Sequence, residues 1–254
     1  MATKSVPGIV FVAALHLAPC PSSAVREALR PMQLTYSSSH RGDHPPWDGI
    51  VHVSIERQGP ADASAWSRTF WIEHKRGTKW NGTTLVSAAP AQLESVSRFD
   101  ADETRFVWQK DRVLGESKSG PDPARAVSLP IPGPLAVDFE ALDLVLPSLP
   151  LADGYKTRIW IMDFDDQVSQ PWSFRPFSLS ATGPEAVQVP AGTFTAFRVT
   201  LMPLDGNQKM SSTFHIQVSA PRLVVRKAYV VNAATSGRAK QSNGTEELTS
   251  IRLN

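Results

Sequence analysis

The chain has 254 residues, enough for one large or two small domains with a substantial core. Its 26 basic and 24 acidic side chains nearly balance, which excludes the clustered positive excess of a nucleic-acid-binding surface. The 21 prolines argue against an all-helical bundle, since each interior helical proline costs roughly 3 kcal/mol, and 41% hydrophobic content excludes a disordered chain.

The N-terminus opens with Lys4, then an apolar run over residues 8–19 (GIVFVAALHLAP), then the small residues Ser22, Ser23 and Ala24. A charged start, a short apolar stretch and a small-residue exit predict a secretory signal peptide over 1–24 and export to a bacterial periplasm or beyond. The run is too short to span a bilayer, which needs about 18–20 residues. Cys20 is the only cysteine, so cleavage after Ala24 leaves a mature chain without disulfides. Leu17-Ala18-Pro19-Cys20 resembles a lipoprotein attachment box, and lipid anchoring through Cys20 is the alternative to cleavage after Ala24.

Residues 25–46 read as a flexible N-terminal segment ahead of a single β domain over 47–254. Within that segment His40, Asp43 and His44 bring two imidazoles and a carboxylate together, but a solvated loop outranks a zinc site without a third imidazole.

Alternation of apolar and polar residues, the period of a half-buried strand, then recurs down the chain. Val51, Val53 and Ile55 show it first; Phe197, Val199 and Leu201, and Phe214, Ile216 and Val218, repeat it. Further strands are expected over 69–75, 83–88, 93–99, 104–109, 113–117, 157–164, 172–179, 223–229 and 246–253. Gly77, Asn81-Gly82, Lys110-Asp111, Asp205-Gly206-Asn207 and Asn243-Gly244 read as the turns between them. A proline-rich stretch over about 120–154 interrupts the series as an insertion within one sheet. It holds one predicted helix capped by Asp138, with Phe139, Leu142 and Leu146 on its apolar face. The expected fold is all-β: a strongly curved antiparallel sheet, half-barrel or open barrel, with a short helical insertion.

Catalytic patterns are missing. Gly77-x4-Gly82 and Gly115-x4-Gly120 are followed by Thr83 and Pro121, where a phosphate-gripping lysine belongs. No nucleophile elbow and no His-Glu-x-x-His occur, and the sequence calls for no enzyme activity, cofactor, metal or nucleic-acid partner. His52, His74 and His215 fall on strands and read as hydrogen-bonded structural residues. Asp163-Phe164-Asp165-Asp166 lacks the glycine and distal Glu of a calcium loop.

One strand is apolar on both faces: Ile159 and Ile161 alternate with Trp160, Met162 and Phe164. Such a strand needs a cover on each side, whether helix, partner or ligand. With Trp108 and Trp172 on other strands, Trp160, Met162 and Phe164 are the candidate lining of a site for an acyl chain or lipid.

Val189-Pro190-Ala191-Gly192-Thr193-Phe194-Thr195-Ala196-Phe197-Arg198-Val199 resembles the "V-P-A-G-T-F-x-A-x-x-V" strand entry of bacterial envelope proteins of unknown function. Leu149-Pro150-Leu151-Ala152-Asp153-Gly154 and Ala220-Pro221-Arg222-Leu223 are similar to further steps of that group, so the likeness covers roughly 137–254. Such proteins resemble the LolA/LolB lipoprotein carriers. That likeness implies a periplasmic half-barrel with an apolar concave face, plugged by short helices and free of catalytic residues. The expected role is non-catalytic binding of a hydrophobic ligand in that face, with a possible envelope partner; the alternative is a structural adaptor with a filled core.

Overall fold

The structure is a computed structural model that describes residues 29–42, 47–59, 65–74, 79–87, 91–164, 171–204, 211–235 and 238–254. The expected signal peptide, Cys20, Asp43, His44, Gly77, Asp165, Asp166 and 205–207 lie outside the described residues.

The first half of the chain forms β1 (Met32–Gly42), β2 (Trp47–Gln58), β3 (Ala65–His74), β4 (Lys79–Ser87), β5 (Gln92–Phe99), β6 (Asp102–Trp108), β7 (Arg112–Lys118) and β8 (Arg125–Pro130). After the two-residue β9 (Ala136–Val137) and helix α1 (Leu142–Ser148) come β10 (Lys156–Phe164), β11 (Trp172–Val189) and β12 (Gly192–Pro203). The last strands are β13 (Ser212–Gln217), β14 (Val224–Thr235) and β15 (Arg238–Leu253). All belong to one sheet in the order β8-β7-β6-β5-β4-β3-β2-β1-β15-β14-β13-β12-β11-β10-β9. Every neighbouring pair is antiparallel except β9 with β10. Two meanders thus run outward from the central β1–β15 pair. The sheet curves strongly and stays unclosed, with β8 and β9 as its edges.

Its inner face is continuous. Ile55 of β2 stands opposite Arg68, Arg68 opposite Thr84, Thr84 opposite Ser95 and Ser95 opposite Phe106. Phe106 and Trp108, however, join a second apolar cluster with Val113, Val127, Leu129 and Met162, packed by Ile131, Trp172 and Phe174. On β10, Ile159 and Ile161 belong to the main core, so Met162 points to the opposite face. The inner face of β6–β8 therefore lies over the outer face of β10–β11, and the sheet overlaps itself like a loosely rolled scroll. That overlap covers the second apolar face of β10, with a part of the same sheet as the cover.

Four expectations differ from the structure. Residues from Met32 onward are not a flexible lead but the central strand β1. Met32, Leu34 and Tyr36 alternate inward with Gln33 and Thr35, a signal masked by the polar run Ser37-Ser38-Ser39. The insertion also contributes β8, where Val127 and Leu129 alternate and proline only closes the strand. The helix begins at Leu142 rather than after Asp138, all seven of its residues are buried, and Phe139 is left partly exposed. It is a plug, not an amphipathic surface helix.

The fourth difference concerns glycine. Gly82 and Gly244 sit inside strands, not in turns, as does Gly115. Each faces an aromatic residue directly across the ladder: Phe70 opposite Gly82, Phe106 opposite Gly115, Tyr229 opposite Gly244. A Cβ at Gly82 would stand 2.6 Å from the Phe70 ring, and one at Gly244 would collide with the Tyr229 ring. Glycine is there to let a ring lie flat over the neighbouring backbone.

The turn after Val189 is as expected, with Gly192 at φ +136. A β-branched side chain is strained in that region. Gly192→Val is expected to lower stability by about 1–3 kcal/mol, read as a lower denaturant midpoint; an unchanged midpoint would contradict it.

Candidate functional site

Two places concentrate chemistry: the packing around α1 inside the sheet, and the seam where the sheet's two ends meet.

Inside, α1 is strapped to both halves of the sheet by charge. Arg68, only 2% exposed, reaches Glu140 Oε2 and Asp143 Oδ2, each at 2.8 Å. Lys227 Nζ lies 3.0 Å from Asp143 Oδ2 and 2.9 Å from Glu246 Oε2. Tyr229 Oη donates to Glu246 Oε1 at 3.2 Å and pairs with His40 Nε2 at 2.8 Å. Asp143 of the helix thereby ties β3 to β14. Burial raises the Asp143 carboxyl, but Lys227, Arg68 and their hydrogen bonds outweigh it and hold the group below its ordinary value. Burial pushes Glu140 the other way, up to about 7, against the pull of Arg68 and Lys227. With Glu140 neutral, two cations face the two carboxylates of Asp143 and Glu246, so the interior is balanced in that state.

A pH dependence follows. Between the ordinary value of 4.5 and about 7, folded Glu140 holds its proton while the unfolded carboxyl has lost it. The folded chain binds more protons in that window, so this group's contribution is full below about 4.5 and is lost as pH rises through 7. Relative to Glu140→Gln, the wild type is expected to lose about 3 kcal/mol of stability between pH 4.5 and pH 8, measured by urea unfolding. A pH-independent difference would contradict the burial of this carboxyl.

Burial also drives Tyr36 and Tyr229 well above their ordinary value, which keeps both phenols protonated. His215 Nε2 pairs with Glu185 Oε1 at 3.1 Å, and burial lowers its pKa, so the ring is a neutral structural group. His52 stacks on Trp71 with centroids 4.8 Å apart. The side chain of His74 lies outside the described residues.

At the seam lies a half-open cleft of about 590 Å³, lined among others by Leu93, Trp108, Ile131, Pro134 and Ala136. Its volume falls in the range of small-ligand pockets, roughly 300–1,000 Å³. The segment between β8 and β9 forms one wall, anchored where Ile131 N donates to Asp111 O and Trp160 N to Leu135 O. Gln92, Gln109 and Lys110 are its polar lining. Gln92 is committed elsewhere: its amide donates to Asp138 Oδ2 and accepts from Asp138 N, both at 2.7 Å. Since Asp138 Oδ1 in turn accepts from Ala141 N, the cleft wall is tied to the turn that starts α1. Trp108 Nε1 is buried with no hydrogen-bond partner among the described residues, a state that costs about 1–3 kcal/mol.

The five residues expected to line a ligand site gather along this seam in different roles. Trp108 alone lines the cleft, and Trp160 backs it, its Nε1 3.1 Å from where a Cβ on Gly133 would stand. Met162 is 6% exposed within the second cluster, and Trp172 packs against that cluster with its ring 4.8 Å from Phe106. Phe164, half exposed, leans on Trp172 at 5.0 Å. The centre of the concave face, by contrast, is occupied by α1, so the open apolar surface lies at the overlap of the sheet. Sequence reasoning missed the buried ionic network; its one legible signal was Arg68 at an inward position between Trp66 and Phe70.

Among proteins of known sequence, the protein family of unknown function DUF3108 matches residues 61–233, well over half of the chain. The chain belongs to DUF3108. No curated protein matches it significantly. A β-barrel-like protein of the DUF1849 domain of unknown function, from Brucella abortus, shares the fold of this DUF3108 chain. It covers 90% of this chain and 99% of its own, at 12% identity and a TM-score of 0.57. A candidate lipoprotein from Parabacteroides distasonis covers 89% and 97% at 10% identity, with a TM-score of 0.32. A candidate exported protein with a YmcC-like fold from Bacteroides fragilis covers 89% and 97% at 12% identity and 0.29. These last two scores are too low to argue a shared fold. No helix among the described residues of the DUF3108 chain is long and apolar enough to cross a membrane.

Proposed function

We propose that this DUF3108 protein is a non-catalytic envelope protein that binds a single apolar chain in the seam cleft. The observation that carries the reading is the cleft itself: a preformed opening of mixed apolar and polar lining beside an aromatic cluster, in a molecule whose interior is already filled. Export is supported by Lys4, the apolar run 8–19 and the small residues Ser22 to Ala24. The likeness of the motif around Gly192 to envelope proteins that resemble lipoprotein carriers agrees with such a role.

Native mass spectrometry of protein recovered from a Gram-negative envelope fraction tests the reading. One bound lipid-sized species, lost in Leu93→Arg, is expected; a bare mass in both proteins, with no binding of added acyl chains, would contradict it. The same material should begin near Val25. An intact Met1 on a cytosolic product would contradict export, and radiolabelled palmitate on Cys20 would favour the lipid anchor.

The filled interior favours one second reading, a structural adaptor whose seam is covered by an envelope partner. It predicts no acyl binding at all.

A further inference from the structure

We infer that the ligand of the seam cleft is anionic: a single-chain amphiphile whose carboxylate or phosphate head meets Lys110 and whose chain lies against Leu93, Trp108 and Ile131. This rests on the cleft being the binding site. Among the described residues the cleft lining includes no carboxylate, and its one charged side chain is Lys110, which is exposed. Positive charge at the mouth of a low-dielectric slot selects an anionic head group over a neutral or cationic one.

The chemistry of the site is thus an anion ahead of an apolar tail, with a donor at Lys110 and the side chains of Leu93, Trp108 and Ile131 beyond it.

Isothermal titration with three probes of equal chain length, below their micelle concentrations, tests the inference on the full mature chain. Dodecanoate or dodecyl phosphate should bind at least tenfold more tightly than dodecyltrimethylammonium at low salt, and the tighter of the two names the head group. Lys110→Glu, an exposed change that leaves the fold intact, should abolish or reverse that preference. Added salt should narrow it. Equal affinity for all three, unchanged in Lys110→Glu, would overturn the charge assignment while leaving the cleft as an acyl site. Failure of every probe to bind would overturn the cleft reading as well.

Discussion

Asp143→Ala is expected to destabilise the protein by about 3–5 kcal/mol at pH 5, the cost of breaking a buried charge network from one side. Asp143 is the shared anion of Arg68 and Lys227, and all three are at least nine-tenths buried. Without it Lys227 keeps Glu246, but Arg68 is left with Glu140, whose carboxyl burial lifts to about 7 in the intact network, with Asp143 contributing to that rise. Raising the pH to 8 ionises Glu140 and gives Arg68 an anion again. The loss should therefore shrink with rising pH, opposite to the usual acid weakening of an ion pair. Urea midpoints of wild type and variant at the two pH values measure this. A loss below about 1 kcal/mol at pH 5 would mean that Arg68 is solvated rather than sealed behind α1.

Met162→Glu should cost about 3 kcal/mol or more and open the seam. Met162 is enclosed by Phe106, Trp108, Leu129 and the rings of Trp172 and Phe174, none of which can ion-pair with a carboxylate. The nearest cation along the neighbouring strand, Arg175, stands on the other face and lies 3.0 Å from Asp163. With the cluster disrupted, β6–β8 lose their hold on β10–β11, and tryptophan emission should move to the red as Trp108 and Trp172 meet water. Leu93→Arg, in the cleft rather than the cluster, should leave the unfolding free energy within about 1 kcal/mol of wild type. A Met162→Glu protein with wild-type midpoint and emission would show that the overlap is loose.

The legible and illegible parts of this fold differ in physics. Period-2 alternation at Val51, Val53 and Ile55, or at Phe197, Val199 and Leu201, places strands because each has one wet and one dry face. The two-faced strand around Ile159 to Phe164 announced that something covers its second side. That the cover would be β6–β8 could not be read, since alternation says nothing about which strand lies over which. Asn81-Gly82 and Asn243-Gly244 carry turn chemistry, yet Phe70 and Tyr229 claim the space above those glycines, a tertiary demand that overrides local preference. The ionic network was hidden for a similar reason. Arg68, Glu140, Asp143, Lys227 and Glu246 lie up to 178 positions apart and become partners only once the meanders curve around α1. Of the candidate site, its aromatic content was visible in the sequence, but the division into a sealed cluster and an open cleft depends on how the ends of the sheet meet.

The central claim is that an apolar chain binds at the seam and not inside the plugged sheet. A dodecanoate analogue with a photoreactive diazirine at the chain end tests it directly, with modified peptides mapped by mass spectrometry after irradiation. Adducts should fall on peptides carrying Leu93, Trp108 and Ile131, and disappear under excess dodecanoate. Adducts instead on α1 or on Phe177 and Leu179 of the inner face would contradict it.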